Sequence, residues 1–188
     1  MSDKTELAAR PLTAEAFAAF GEVIDLNAPR GAPEMQINDG LTTRFHDLFT
    51  IDTAADGGRP VASIFRSQPL LLPHRVRELE RHPLGSQAFI PLDDLPFLVL
   101  VAADASVAAA TGAPAASVAA AQLELFISDG RQGVNLHKNT WHHFQIVLGR
   151  QRDFLVIDRG GAGANLEEAR VDGEVWIPAV ELPGAGTK

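Results

Sequence analysis

Short apolar segments separated by turn residues run through most of the chain. They are rich in Val, Ile, Leu and Phe, and their lengths and composition are typical of β-strands. The segments are residues 61–65, 87–92, 97–102, 123–127, 144–148 and 154–157. Asn38-Asp39-Gly40 and Asp129-Gly130 tolerate positive φ angles and indicate chain reversals. The pattern predicts a mainly antiparallel β-sheet or barrel.

One helix is predicted near the N-terminus. Thr13 can cap it, and residues 14–20 are good helix formers with Phe17 and Phe20 three positions apart. Gly21 follows as a stop signal. We expect this helix to pack against the barrel.

A low-complexity segment interrupts the strand pattern. Of the 20 residues 102–121, 12 are alanine, broken by Gly112 and Pro114. Alanine favours helix, so the segment can form a helix pair or a mobile connection, and a plain spacer is the simplest interpretation. The length of 188 residues predicts a single domain over residues 1–188.

Charge and composition exclude several classes of protein. The 24 acidic and 16 basic side chains give a net charge of −8, which disfavours nucleic acid and anionic membrane surfaces as partners. The longest apolar run, residues 97–103, is far shorter than the roughly 20 residues of a spanning helix. No basic stretch leads into an apolar one, so we expect a soluble, cytoplasmic protein. Without cysteine, any metal must be held by His and carboxylate ligands.

Histidine is the main candidate for chemistry. Three of the six histidines fall within residues 137–143. Neighbouring side chains on a strand point to opposite faces, so only one of His142 and His143 can point into a barrel; the other faces solvent, a partner subunit or a second layer around the site. Glu80 and His82 are two positions apart and share a face of an extended chain. They can therefore form an acid/base pair or half of a metal site.

The order of these residues resembles a small-barrel metal site. In the cupin pattern, two histidines spaced H-x-H and a following carboxylate meet a third histidine from a later strand pair. Here Glu80 stands at the first position, His82 at the second, Gln87 at the third and His142 at the fourth. Two of the four positions therefore depart from the pattern, and a metal would be held differently or more weakly.

Longer motifs identify the chain as similar to the ureidoglycolate lyase family, long called ureidoglycolate hydrolase. They are residues 82–92 (HPLGSQAFIPL), 133–143 (GVNLHKNTWHH) and 154–159 (FLVIDR). Weaker matches, in order along nearly the whole chain, are residues 11–13, 17–21, 38–40, 44–46, 64–66 and 165–168. Phe144 departs from the family where proline is common, and the alanine-rich insert is longer than expected.

The resemblance implies a cupin-like antiparallel β-barrel with a few peripheral helices, usually a homodimer. It also implies an enzyme of allantoin and purine degradation that splits ureidoglycolate into glyoxylate and urea. This carbon–nitrogen lyase reaction needs an anion clamp for the substrate carboxylate, a base and an acid. Arg66 is the first candidate for the clamp and Arg44 the second, because a guanidinium binds a carboxylate through two hydrogen bonds; Lys138 is a third.

Glu80, His82 and His142 are the candidate acid and base residues, and their individual roles stay open. The same three residues are candidate ligands of a divalent metal ion, with nickel among the options, that would acidify the substrate hydroxyl. Gln87 and Asn135 can orient the urea amide, and Trp141 can wall the pocket or simply pack in the core. No organic cofactor is expected.

Two other functions stay open at this point. A hydrolase acting on the same substrate would attack the ureido carbonyl and release ammonia, which needs an activated water. A barrel that binds a small acid without turnover is the other alternative.

Overall fold

The computed structural model describes residues 4–25, 33–102 and 117–180, which are mostly β-strand. The strands, numbered in chain order, are β1 Lys4–Glu6, β2 Ala9–Pro11, β3 Gly21–Asp25, β4 Glu34–Ile37, β5 Thr42–Phe45, β6 Arg59–Ser67, β7 His74–Arg81, β8 Gln87–Pro91, β9 Leu98–Ala102, β10 Ser117–Ala119, β11 Leu123–Ile127, β12 Gln132–Leu136, β13 Trp141–His142, β14 Arg152–Gly160 and β15 Glu167–Ile177. Helix α1 spans Ala14–Phe17, and short 3-10 turns cover Ala55–Gly57 and Ala120–Gln122. No helix in these ranges has the length and apolar composition needed to cross a membrane.

Two large sheets form the body of the protein. The first has the strand order β1-β15-β7-β13-β9-β11-β2, with β10 also paired to β15. The second has the order β3-β12-β8-β14-β6, and β4 and β5 form a separate hairpin. Most pairs are antiparallel; β1 and β10 run parallel to β15, and β2 runs parallel to β11. The first sheet curls into a half-barrel, and the predicted mainly β, cupin-like fold is confirmed.

Strand β9 separates the two apolar cores. All of its side chains are buried, with Leu98 and Leu100 in one cluster and Val99 and Val101 in the other. The second cluster joins the two sheets, since it also contains side chains of β8, β12 and β14. A strand covered on both faces requires the continuous apolar run seen here. Burial of each Val or Leu side chain stabilises the folded protein by about 1.5–3 kcal/mol.

Five of the six predicted strand segments lie in β6, β8, β9, β11 and β14. The sixth, residues 144–148, does not form a strand and makes only one bridge, between Leu98 and Ile146. The segment continues from β13 along β9, but its pairing is shifted by one residue relative to that of β13, so the ladder is interrupted.

Residues 154–157 do not form an edge strand that could pair across a dimer. These residues belong to β14, which pairs with β6 on one side and β8 on the other. Its backbone groups are therefore already satisfied, and it cannot pair across a dimer. Strands β3 and β6 are the edges of that sheet.

The N-terminal helix is shorter than the predicted residues 14–20. The Thr13 hydroxyl accepts a hydrogen bond from the Ala16 amide at 3.2 Å, as expected for a cap, but α1 ends at Phe17. Gly21 instead begins β3, where a Cβ atom would lie 2.1 Å from the Asn135 carbonyl oxygen. The helix does pack on the barrel, since the Phe17 and Phe126 rings are 5.3 Å apart.

The other local predictions have mixed outcomes. Asn38, Asp39 and Gly40 all have positive φ and form the predicted reversal, between β4 and β5. Most of the alanine-rich segment, residues 103–116, lies outside the described residues.

Candidate functional site

Strands β7 and β13 bring the candidate catalytic residues together. Glu80 and His142 are direct partners in the antiparallel register, and His82 follows the end of β7. One ligand atom from each of Glu80, His82 and His142 lies within 4.8 Å of the others. The three residues thus form the cluster that their spacing predicted; whether they act in catalysis stays a prediction.

Both histidines of the cluster have a defined tautomer. His82 Nδ1 lies 2.6 Å from the Asn165 carbonyl oxygen, and His142 Nδ1 lies 2.8 Å from the Thr140 carbonyl oxygen. A carbonyl can only accept, so Nδ1 carries a hydrogen, and in the neutral form of each ring Nε2 presents a bare lone pair. Both Nε2 atoms are buried and have no hydrogen-bond partner within the described part of the chain. Such paired, unsatisfied acceptors are suited to a metal ion.

Glu80 supplies the negative charge of the cluster. Its Oε1 lies 3.5 Å from His142 Nε2, at the outer limit for a hydrogen bond, and the contact is attractive when that nitrogen carries a proton. The interaction with His142 lowers the pKa of Glu80, and partial burial opposes this shift. About a third of the side chain, 34%, is exposed. Glu80 is therefore ionised at neutral pH and within reach of a ligand.

A pocket of about 270 Å³ opens beside Glu80. Its walls combine three phenyl rings with polar side chains. The lining residues are Phe65, Ser67, Gln68, Glu80, Gln87, Phe89, Phe144 and Gln145. This volume suits a small molecule rather than a peptide or a nucleotide.

Gln87 lies in the pocket wall, as expected for a substrate-binding residue. Only 6% of its surface is exposed, and its Oε1 has no hydrogen-bond partner among the described residues. Its side chain donates a hydrogen bond to Asp158. Burial raises the pKa of Asp158, while His82 and this hydrogen bond act in the opposite direction. Gln87 Oε1 is thus a further buried oxygen beside the cluster.

Arg66 is not brought to the cluster. Its neighbours Phe65 and Ser67 line the pocket, so the alternation of β6 places Arg66 on the opposite face. There its Nε and Nη2 donate to the two Asp153 oxygens, each at 2.9 Å. The Nε/Nη2 edge of Arg66 is therefore already paired with a carboxylate, on the face of the sheet away from the pocket.

The other two candidate cations have partners outside the cluster. Arg44 is on the exposed hairpin strand β5, where its Nη2 is 2.8 Å from His46 Nδ1. Lys138 Nζ pairs with Asp52 Oδ2 at 2.8 Å. No Arg or Lys is among the residues that line the pocket.

Asn135 and Trp141 point away from the pocket. Asn135 Nδ2 donates to Glu22 Oε2 at 2.7 Å and to the Thr50 carbonyl at 2.9 Å. Trp141 precedes His142 on β13, so its side chain enters the apolar cluster on the opposite face. Trp141 therefore packs in the core and does not line the pocket.

His143 is buried and does not face solvent, with 8% of its surface exposed. Its ring lies 3.9 Å from the Phe144 ring and 5.4 Å from the His74 ring. Burial lowers the pKa of His143 to about 4, so the ring is neutral at physiological pH. It forms part of the packing behind the cluster.

Sequence reasoning missed six of the eight residues that line the pocket. These are the polar residues Ser67, Gln68 and Gln145 and the aromatic residues Phe65, Phe89 and Phe144. Gln145 lies in the segment misread as a strand, and residues 61–65 are too uniformly apolar to show which face points inward. The nearness of Gln145 to the His142-His143 pair was the only available signal.

Comparisons with known proteins agree with the geometry. The family model described as ureidoglycolate lyase matches residues 4–178. A ureidoglycolate lyase of Burkholderia mallei (strain NCTC 10229) is 48% identical over 180 residues, covering 96% of this chain and 98% of the relative. One of Pseudomonas entomophila is 48% identical over 158 residues, covering 84% and 87%. Ureidoglycolate lyase 1 of Rhizobium meliloti is 45% identical over 172 residues, covering 92% and 93%. The chain belongs to the ureidoglycolate lyase family.

Proposed function

We propose that this protein is a carbon–nitrogen lyase that splits ureidoglycolate into glyoxylate and urea. The observation that carries the proposal is the convergence of Glu80, His82 and His142 beside a pocket of small-molecule size. Membership of the ureidoglycolate lyase family supports the choice of substrate.

The proposed reaction moves one proton. The substrate carbon carries a hydroxyl, a carboxylate and the ureido nitrogen. Loss of the hydroxyl proton lets the C–O bond become the carbonyl of glyoxylate as the C–N bond breaks, and urea leaves when that nitrogen gains a proton. No water is consumed, so atoms balance with glyoxylate and urea as the only products.

Glu80 is the proposed proton carrier. It is the ionisable side chain among the pocket-lining residues, and its lowered pKa keeps it ready to accept the hydroxyl proton. The protonated carboxyl then returns this proton to the departing urea nitrogen. A single residue can serve as base and acid in turn because the two transfers are consecutive.

His82, His142 and Glu80 fit a divalent metal ion, as their chemistry shows. The two histidines present bare, buried Nε2 atoms held by Nδ1 hydrogen bonds, and one carboxylate oxygen of Glu80 would complete the set while the other oxygen carries the proton. When bound, an ion such as nickel would supply positive charge for the substrate carboxylate and lower the pKa of the hydroxyl. His82 and His142 then act as ligands rather than as proton carriers.

A product assay tests the function. Glyoxylate, urea and ammonia are followed in parallel on ureidoglycolate, before and after exhaustive chelation and addition of divalent ions. The proposal expects urea with glyoxylate, lost on chelation and restored by an ion. Ammonia in place of urea would identify a hydrolase, and binding without product would identify a non-catalytic barrel.

Isothermal titration of the chelated protein with Ni²⁺ tests the metal site separately. The His142→Gln variant should lose at least about tenfold in affinity, because one of three protein ligands is removed. His137→Gln changes an exposed histidine and serves as the matched control. Equal affinities of all three proteins would contradict the assignment of the ligands.

The protein is further proposed to be a cytoplasmic homodimer whose partner molecules are small acids, not nucleic acid or membrane. The hairpin of β4 and β5 supports the dimer, since Met35, Ile37, Leu41 and Phe45 are 38%, 36%, 89% and 40% exposed. An isolated two-stranded hairpin is barely stable in water, and a second copy would cover this apolar surface. Sedimentation should show a dimer that Phe45→Asp weakens; a monomer for the unchanged protein would overturn the proposal.

The net charge of −8 supports the proposal that nucleic acid and anionic membrane are not partners of this protein.

A further inference from the structure

Two glutamines of the pocket wall carry buried amide atoms without partners. Gln87 Oε1 is an unpaired acceptor, and Gln145 Nε2 is an unpaired donor, among the residues that the structure describes. Both residues line the pocket beside Glu80. A buried polar atom without a hydrogen bond is costly, so two of opposite polarity in one pocket suggest a ligand with matching groups.

Neighbouring residues hold both amides in orientation. The Ser67 hydroxyl donates to Gln145 Oε1 at 3.0 Å, which leaves Gln145 Nε2 as the unpaired end. On the other side, the hydrogen bond from Gln87 to Asp158 uses its amide nitrogen and leaves Oε1 unpaired. The arrangement is therefore a fixed donor and a fixed acceptor rather than two freely rotating amides.

The rest of the wall favours a flat ligand group. Phe65, Phe89 and Phe144 supply apolar surface around the two amides. A ureido group is planar, its carbonyl oxygen accepts hydrogen bonds and its terminal amino group donates them. It therefore matches the two glutamines in both shape and polarity, which a carboxylate or a simple alcohol does not.

We propose that Gln145 and Gln87 form the ureido-recognition pair of this protein. Gln145 Nε2 donates to the ureido carbonyl oxygen, and Gln87 Oε1 accepts from the terminal amino group. Gln145 thereby determines specificity for ureido acids over hydroxy acids without this group. This inference rests on the proposed function for its substrate class.

Calorimetric titration with three uncleaved ligands tests the pair. N-carbamoylglycine has the ureido group and the carboxylate but lacks the hydroxyl that the lyase reaction needs. N-acetylglycine replaces its terminal amino group with methyl, and glycolate has no ureido group. The unchanged protein should bind N-carbamoylglycine about tenfold more tightly than N-acetylglycine, because the methyl group leaves Gln87 Oε1 unpaired.

The Gln145→Leu variant should bind N-carbamoylglycine and N-acetylglycine about tenfold more weakly than the unchanged protein, because the carbonyl of each ligand loses its hydrogen-bond donor. Glycolate affinity should change by less than about twofold, which excludes general damage to the pocket. Gln145→Glu keeps the side-chain shape but removes the donor, so it should also lose ureido binding. Gln36→Leu changes an exposed glutamine that bonds to Thr43 on the hairpin, and it should leave all three affinities unchanged.

The outcomes separate this inference from the proposed lyase activity. Equal weakening of all three ligands by Gln145→Leu, or no weakening at all, would overturn the recognition pair. If the protein releases urea and glyoxylate but does not prefer N-carbamoylglycine, the pair is wrong and the lyase stands. If it prefers N-carbamoylglycine through Gln145 but releases no urea, the pair stands and the lyase is wrong.

Discussion

Two polar clusters of this barrel differ in whether their buried polar atoms have hydrogen-bond partners. In the first, Arg152 is fully buried and all its contacts are satisfied: it donates to Asp93 and to the carbonyls of Leu95 and Pro96. In the second, Glu80 lies beside two histidines whose Nε2 atoms have no hydrogen-bond partner in the described ranges. The closed cluster has no capacity left for a ligand, whereas the open one has.

The closed cluster therefore serves mainly stability, and the open cluster serves mainly function. Breaking one partner of a closed, buried ion pair leaves an uncompensated charge and destabilises the fold. Changing a residue of the open cluster removes little that holds the fold together. The two clusters should therefore respond in opposite ways to removal of one carboxylate charge.

The largest expected effect is on turnover in Glu80→Gln. Loss of the proton carrier should lower kcat by about 10²–10⁴-fold, while the free energy of unfolding changes by less than about 1 kcal/mol. Steady-state kinetics and urea denaturation measure the two quantities. Glu78→Gln alters an exposed position of the same strand and is the control. A Glu80→Gln enzyme with normal kcat would remove Glu80 from the mechanism.

The reciprocal change is Asp93→Asn. It leaves the Arg152 charge buried and should lower the free energy of unfolding by about 3–5 kcal/mol, with kcat of the folded enzyme unchanged. Asp153→Asn is the matched control, because its partner Arg66 is 63% exposed and the change should lower the free energy of unfolding far less than Asp93→Asn does. If both variants lose the same free energy of unfolding, the buried Asp93–Arg152 pair contributes no more to stability than the exposed Asp153–Arg66 pair.

The stability difference made by Asp93 should also depend on pH. Burial favours its protonated form, but the hydrogen bonds from Arg152 and the Leu95 amide outweigh this and lower its pKa. The unfolded chain then binds a proton at Asp93 more readily than the native protein. This contribution is complete above the unfolded pKa of about 4 and is lost as the pH falls through the native pKa. Urea midpoints of the unchanged protein and Asp93→Asn should therefore converge as the pH falls below about 5 and through the native pKa of Asp93.

The smallest expected effect is that of Arg66→Met on catalysis. Arg66 lies on the face of β6 opposite the pocket and is already paired with Asp153, so KM for ureidoglycolate should change by less than about twofold. Steady-state kinetics provide the measurement. A tenfold rise in KM would return Arg66 to the role of carboxylate clamp that its chemistry suggested.

The sequence was sufficient for the fold class and for the central cluster. Short apolar runs located five of the fifteen described strands, and the two-residue spacing of Glu80 and His82 placed both on one side of an extended chain. His142 was found by its place in the cupin order and by family resemblance. These inferences depend on local periodicity and on motif order, which one sequence contains.

Orientation relative to the pocket was harder to predict. Arg66 and Asn135 were chosen for their chemistry, yet both lie on strand faces that point away from the pocket. The run of residues 61–65 does not alternate, so its inward face cannot be recognised without the neighbouring strands. Trp141 could have been excluded, because it and His142 are consecutive on a strand and cannot both face the same ligand.

The brevity of β13 has a consequence for engineering and for natural length variation. This strand has two residues, and its register with Glu80 on β7 and Val101 on β9 alone decides that His142 rather than Trp141 or His143 faces the cluster. A shift of one position would exchange the faces of all three side chains. Insertions or deletions near residues 137–146 should therefore abolish the site even where the altered loop is solvent-exposed, whereas the turn of the β4–β5 hairpin can change in length without moving a ligand atom.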